Sequence, residues 1–132
     1  KKIEDDTIPS RFKKQKNTSI KPKNFEIVIK GMKNAIEDNE IGTSNNIKIK
    51  DITVCGKTGT AENPHGEDHS IFIAFGPEKE PKIAIAVYIE NGGWGSTWAA
   101  PIASLVIEKY LNNKISRPNL EEEIMTNLIE YN

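Results

Sequence analysis

One cysteine, Cys55, stands in 132 residues, so an internal disulfide is excluded and nothing follows about redox compartment. Arginine is nearly missing, with sixteen lysines against Arg11 and Arg117 alone. That bias, together with abundant isoleucine and asparagine, reads as codon composition more than chemistry. No run approaches the roughly 18 apolar residues of a membrane span, and no signal peptide opens the chain. Excess charge of either sign is missing too: the net charge is −1, which gives no global argument for nucleic acid or membrane. Apolar residues make up 36%, low for a self-sufficient globule, while 28% are charged. The length suits about one domain. The charged, loop-like opening fits a piece of a larger protein better than a natural start.

What is present divides into an arm, a body and a tail. Residues 1–23 carry eight Lys/Arg against three acids and two prolines, and read as a polar basic arm or loop. A solvated segment is expected, since Phe12 is the one aromatic that could stack on a base. A helix is predicted from Asn24, as N-cap, to about Asp38. Its apolar positions Phe25, Val28, Ile29, Met32 and Ile36 recur at helical spacing. Asn39 to Asn46, with Gly42, reads as a connector. Three strands follow, at about Ile52–Thr60, Ser70–Phe75 and Lys82–Glu90. In the last, Ile83, Ile85, Val87 and Ile89 alternate with smaller or polar residues. The short Pro77-to-Pro81 link implies a hairpin and antiparallel pairing. Asn91-Gly92-Gly93 ends the sheet. Thr97 is expected to cap a second helix, with Pro101 in its first turn and Ile102, Leu105, Val106 and Tyr110 on one face. Arg117-Pro118 ends the body at residue 116. The tail, 117–132, allows a short amphipathic helix through Leu120, Ile124, Leu128 and Tyr131. The expected fold is α+β, an antiparallel sheet of three consecutive strands packed against N- and C-terminal helices.

Chemistry concentrates in Lys57-Thr58-Gly59-Thr60. An apolar, β-rich approach delivers a charge, a directional hydroxyl and a residue without a side chain, which suits reading an anion at a cleft edge. Taken alone, Lys57 with Thr58 reads a carboxylate or a phosphate. Gly56-Lys57-Thr58 also matches the end of a nucleotide-binding phosphate loop. That loop needs glycine where Asp51 stands, and a helix straight after the lysine, where Gly59 and Asn63-Pro64 follow instead.

Three stretches in order carry a family resemblance: Val54-Cys55-Gly56-Lys57-Thr58-Gly59-Thr60-Ala61-Glu62, Ile71-Phe72-Ile73-Ala74-Phe75-Gly76-Pro77 and Val87-Tyr88-Ile89-Glu90-Asn91-Gly92-Gly93. Over about residues 20–112 the chain resembles the C-terminal part of the transpeptidase domain of class B penicillin-binding proteins, closest to their cell-elongation branch. The resemblance implies a serine D,D-transpeptidase with the fold shared by serine β-lactamases. It implies that Lys57 is catalytic, adding positive potential that holds the serine of a Ser-x-Asn motif in hydrogen-bonding position and favours proton movement. It also implies that Thr58 donates to the terminal carboxylate of a D-Ala-D-Ala stem peptide, or of a β-lactam. Gly59 would leave room for that ligand, and the Thr60 backbone N–H would serve an oxyanion hole. Such a preorganised donor is worth about 3 kcal/mol in an acylation barrier.

The same resemblance implies a nucleophilic Ser-x-x-Lys and a Ser-x-Asn far upstream. Ser10-Arg11-Phe12-Lys13 and Ser44-Asn45-Asn46 match these patterns, and both matches are expected to be accidental. A nucleophile needs a buried helix N-terminus that can desolvate its lysine, whereas Ser10 follows a proline among cations. The expectation is therefore no nucleophile within the chain, and no turnover by it alone. No metal or organic cofactor is implied. His65 and His69, with Glu67 and Asp68 between them, could suggest a metal site, but Pro64 and Gly66 argue against the helix that would align them, and a polar surface loop is expected. Cys55 reads as a buried structural thiol, and Trp94 and Trp98 as rim or core packing, with a cleft wall as the lesser alternative. Asn17-Thr18-Ser19 matches a glycosylation signal of no consequence in a bacterium. The implied partners are the stem peptide, β-lactams, the rest of the same domain and the elongation machinery. Nucleic acid is not among them. The implied location is the bacterial inner membrane, facing the periplasm, through an N-terminal anchor not in this chain. A serine β-lactamase or β-lactam sensor of the same fold, and a non-catalytic anion-binding module, are the alternatives.

Overall fold

A computed structural model describes residues 9–14 and 16–127. Leu128 and Tyr131, expected in the last helix, lie outside the described residues. The elements are α1 (Ser10–Lys13), α2 (Pro22–Glu37), a 3-10 turn (Asn45–Ile47), β1 (Cys55–Ala61), β2 (His69–Gly76), β3 (Ile83–Ile89), α3 (Ala99–Asn112) and α4 (Pro118–Thr126).

The three strands form one sheet in the order β1-β2-β3, antiparallel throughout. Thr58 pairs with Phe72, which pairs in turn with Val87, and Gly59 lines up with Ile71 and Tyr88. The period-2 pattern explains the burial: Ser70, Phe72, Ala74 and Gly76 are buried along β2, while the residues between them are more open. On β3 the expected alternation holds, with Ile83, Ile85, Val87 and Ile89 partly buried and Ala84, Ala86 and Tyr88 exposed. Phe72 is the largest fully buried side chain, packed among Ile36, Ile47, Val54, Ala103 and Ile107. Truncating such a phenylalanine costs about 3–5 kcal/mol. Helix α3 covers β2 and β3, and α2 lies against β1. This is the expected α+β arrangement.

Several details differ from the sequence expectations, each for a local reason. Helix α2 starts at Pro22, with Lys21 in the cap position. Proline at the first helical position needs no N–H partner, and the Asn24 N–H already bonds to Lys21 O at 2.9 Å, so Asn24 sits inside the first turn. A single turn, α1, stands within the stretch expected to be arm or loop. Strand β1 begins at Cys55 and not Ile52, because Asp51 takes a left-handed φ of 63° and turns the chain between the bridged residues Ile49 and Ile52. Trp98, not Thr97, precedes α3, and no side chain caps it.

The largest correction concerns which side of α3 is buried. Ala99, Ala100, Ala103, Ser104 and Ile107 are buried; of the four expected face residues Leu105 is buried too, whereas Val106 and Tyr110 are exposed. Small side chains let the helix sit close on the sheet. The larger stripe of Ile102, Val106 and Tyr110 instead borders a groove of about 460 Å³ shared with Ile124 and Met125 of α4. Arg117 does more than end the body. Its Nε donates to Glu108 Oε2 at 2.9 Å, and its Nη1 donates to Ile47 O and Ser104 Oγ, both at 3.1 Å.

Candidate functional site

β1 is an edge strand, and among the described residues no strand pairs with its outer side. Along it runs a groove of about 390 Å³. Lys57, Thr58, Gly59 and Thr60 all line this groove, together with Thr43 from the segment after α2 and Trp94, Gly95 and Ser96 from the turn before α3. The four residues singled out from sequence are thus brought together on one open surface. Lys57 is exposed, and its Nζ donates to Thr58 O at 2.7 Å and to Thr58 Oγ1 at 3.4 Å. The charge therefore sits on the Thr58 carbonyl and beside the Thr58 hydroxyl.

Gly59 is not demanded by the packing of this chain. A Cβ there would meet Ile71 Cβ at 3.4 Å, an ordinary contact. The space it leaves is space in the groove. Gly95 is the opposite case, since a Cβ on it would lie 2.6 Å from Gly59 O and would also strike Ile71 O. The turn carrying Trp94 and Gly95 is pressed onto β1 and tied there by buried Ser70. The Ser70 hydroxyl donates to Trp94 O at 2.9 Å and accepts the Ala99 N–H at 3.2 Å. Trp94, 74% exposed, stands at the groove rim, while Trp98 is half-buried and does not line it.

The other candidates lie elsewhere or do other work. Ser10 and Lys13 are exposed on the single turn α1 and do not line the groove. Ser44 is buried, and its N–H is bonded to Ala35 O at 2.9 Å, while Asn45 and Asn46 are exposed. His69 Nδ1 accepts the Asn91 N–H at 3.0 Å, and its ring tilts against Tyr88 at 5.3 Å. His65 is exposed on the loop between β1 and β2. Among the described residues no three His, Cys, Asp or Glu side chains converge as a metal cage. Cys55 is fully buried, and that burial, with Glu78 nearby, pushes its thiol up to about 11 despite Lys33. A thiol of that kind is inert at neutral pH.

The family model "Penicillin binding protein transpeptidase domain" matches residues 1–108. The chain belongs to this family. Among curated relatives, peptidoglycan D,D-transpeptidase PbpA of Mycobacterium tuberculosis is 42% identical over 77 residues, half of this chain and 15% of its own length. Peptidoglycan D,D-transpeptidase MrdA of Haemophilus influenzae is 37% identical over 84 residues, 52% of this chain and 13% of its own. The matched part of the chain thus spans about one-seventh of those relatives' length. Among solved structures, penicillin-binding protein A from M. tuberculosis as its imipenem acyl-enzyme superimposes with a TM-score of 0.64 at 33% identity. That match covers 74% of this chain and 21% of that one. Penicillin-binding protein 2 from Helicobacter pylori, in complex with MreC, gives 0.56 at 28% identity over 67% of this chain and 17% of that one.

Thr43, Gly95 and Ser96 are groove residues that sequence reading passed over. For Thr43 the signal was faint: a glycine just past a helix end, followed by a hydroxyl residue in a connector.

Proposed function

We propose that this chain is the C-terminal part of a peptidoglycan D,D-transpeptidase domain and supplies that domain's substrate-binding strand. The observation that carries the reading is Lys57 to Thr60, in a transpeptidase family member, lining an open groove on an unpaired strand edge. Thr58 Oγ1 donates to the terminal carboxylate of an acyl-D-Ala-D-Ala stem peptide, and Lys57 supplies the charge that holds this carboxylate. Gly59 admits the ligand backbone alongside β1, and the Thr60 N–H stabilises the oxyanion.

The nucleophile is a serine supplied by the upstream remainder of the domain. Its Oγ adds to the carbonyl carbon of the penultimate D-alanine as a neighbouring base takes the hydroxyl proton. The C–N bond to the terminal D-alanine then breaks, and that residue leaves as an amine with the proton. A stem amine of a second strand attacks the resulting ester, forming the cross-link amide and returning the proton to the serine. A β-lactam presents an equivalent carboxylate and acyl carbon, so it acylates the same serine. No metal or organic cofactor takes part. The exposed apolar side chains of α2 and of the outer sheet face, among them Val28, Ile73 and Tyr88, are covered by the rest of the domain in the longer protein. Relatives span about seven times the matched length, which leaves ample chain for that cover. By the same reading the protein works at the periplasmic face of the inner membrane with the elongation machinery. The H. pylori relative solved with MreC supports that partnership.

Fluorescent penicillin with mass mapping tests the proposal. The full-length protein should be labelled covalently at a serine outside this chain, and the chain alone should not be labelled. Covalent labelling at Ser10 would overturn the assignment.

A further inference from the structure

Past the last turn of α2 the chain folds back over the helix's own carbonyl end. The Asp38 carboxylate accepts the N–H groups of Glu40 at 2.9 Å and Ile41 at 3.1 Å. Those two bonds hold its carboxyl below the usual carboxylate range. The Gly42 N–H then donates to Asp38 O at 3.1 Å, and the Ser44 N–H to Ala35 O at 2.9 Å. A Cβ on Gly42 would strike Asp38 O and come within 3.1 Å of Asn34 O, so the reversal needs glycine. Thr43 is held between these two backbone bonds, and its side chain is delivered to β1.

There its hydroxyl lies 3.5 Å from that of Thr58. A hydroxyl pair bonded at normal strength sits near 2.7–2.8 Å, so at this spacing neither group is spent on the other. Among the described residues Thr43 Oγ1 has no other hydrogen-bond partner. The Lys57 ammonium, which can only donate, lies 3.4 Å from the Thr58 oxygen and leaves that hydroxyl's own proton for another acceptor. Two hydroxyls and an ammonium thus line one short stretch of the groove wall. A carboxylate, with two oxygens and about four acceptor sites, can take a donor on each oxygen at once.

Building on the transpeptidase reading, we propose that Thr43 is a second hydroxyl ligand to the carboxylate bound by Lys57 and Thr58. The clamp then has three donors, two from the strand and one from the reversed end of α2. Thr43 is exposed, so exchanging its hydroxyl for a methyl alters the groove and not the core.

The test measures second-order acylation rates of the full-length protein by a penicillin and by the methyl ester of that penicillin, which lacks the anionic carboxylate. The variants are Thr43→Val, Thr43→Ser, Thr58→Val and the Thr43→Val/Thr58→Val pair. Thr43→Val should slow acylation by the free acid about tenfold, the effect of one hydrogen bond to a charged group. Thr43→Ser should restore the rate to within about threefold, and the ester should change by less than about twofold. The paired variant should lose less than the product of the single losses, because both hydroxyls serve one ligand. A Thr43→Val protein at the wild-type rate, with Thr58→Val impaired, would overturn the assignment of Thr43 and leave the groove reading standing. Equal losses for acid and ester would overturn it as well, as a structural effect. Failure of the unaltered protein to acylate would overturn the groove reading and Thr43 with it.

Discussion

Gly95 and Gly59 are in backbone contact: a methyl placed on Gly95 would sit 2.6 Å from the Gly59 carbonyl oxygen. Two segments 36 residues apart therefore meet with no side chain between them, and the groove wall keeps its position through that contact. Gly95→Ala should lift the Trp94 turn off β1, destabilise the fold by about 1–3 kcal/mol and widen the groove. Thermal unfolding of the chain, beside penicillin acylation of the full-length protein, checks both effects. An unchanged melting temperature would mean that the turn yields freely.

Gly59→Ala should separate ligand binding from folding. Its new methyl would make only ordinary contact with Ile71, so stability should move by less than about 1 kcal/mol. The same methyl would occupy the face of β1 that bears Lys57, where a ligand backbone is proposed to lie. Acylation should fall by about tenfold or more. Normal acylation by this variant would remove Gly59 from the binding surface.

Acid should weaken the chain through Glu108. Burial alone would raise this carboxyl, but hydrogen bonds from the Ser116 hydroxyl, from Arg117 and from the Ser116 N–H outweigh it and lower it below the usual glutamate range. A carboxyl lowered on folding contributes its full stability above the unfolded pKa and loses it as pH falls through the folded one. Unfolding free energy should therefore hold steady near neutrality and decline below about pH 4.5. Arg117→Ala, which strands a buried carboxylate, should cost about 3 kcal/mol at pH 7 and less in acid. A penalty independent of pH would show that the pair is not what Glu108 provides.

Legibility in the sequence followed the range of the interactions. β2, β3 and their pairing were readable because side-chain alternation is a local signal, seen in Ile83 through Ile89. Lys57 to Thr60 was readable because the motif is linear and lies on one strand. The buried side of α3 was not, since Ala99 to Asn112 carries apolar residues nearly all round, and only the sheet selects the alanine stripe. Thr43 was hidden for a related reason. Its place beside Thr58 depends on a reversal at Gly42 that brings together residues fifteen apart. Arg117 read as a stop, because its partners Ile47 and Glu108 are set by tertiary packing.

The exposed apolar side chains bear on how the chain behaves alone. Ile73 and Tyr88 are 48% and 53% exposed on the outer sheet face, and Val28 is exposed on α2. Patches of that kind associate in water. Solution scattering on the isolated chain should report a mass above 14.8 kDa that grows with concentration. A compact monomer with one cooperative unfolding transition would show that these surfaces need no cover.

The central claim is that β1 reads a ligand carboxylate, and the structure of the full-length protein acylated by a penicillin tests it most directly. The account predicts the penicillin carboxylate within hydrogen-bonding distance of Thr58 Oγ1, with Lys57 Nζ beside it and the acyl oxygen facing the Thr60 N–H. An acyl-enzyme whose carboxylate points away from β1, leaving Lys57 and Thr58 in contact with solvent alone, would contradict it.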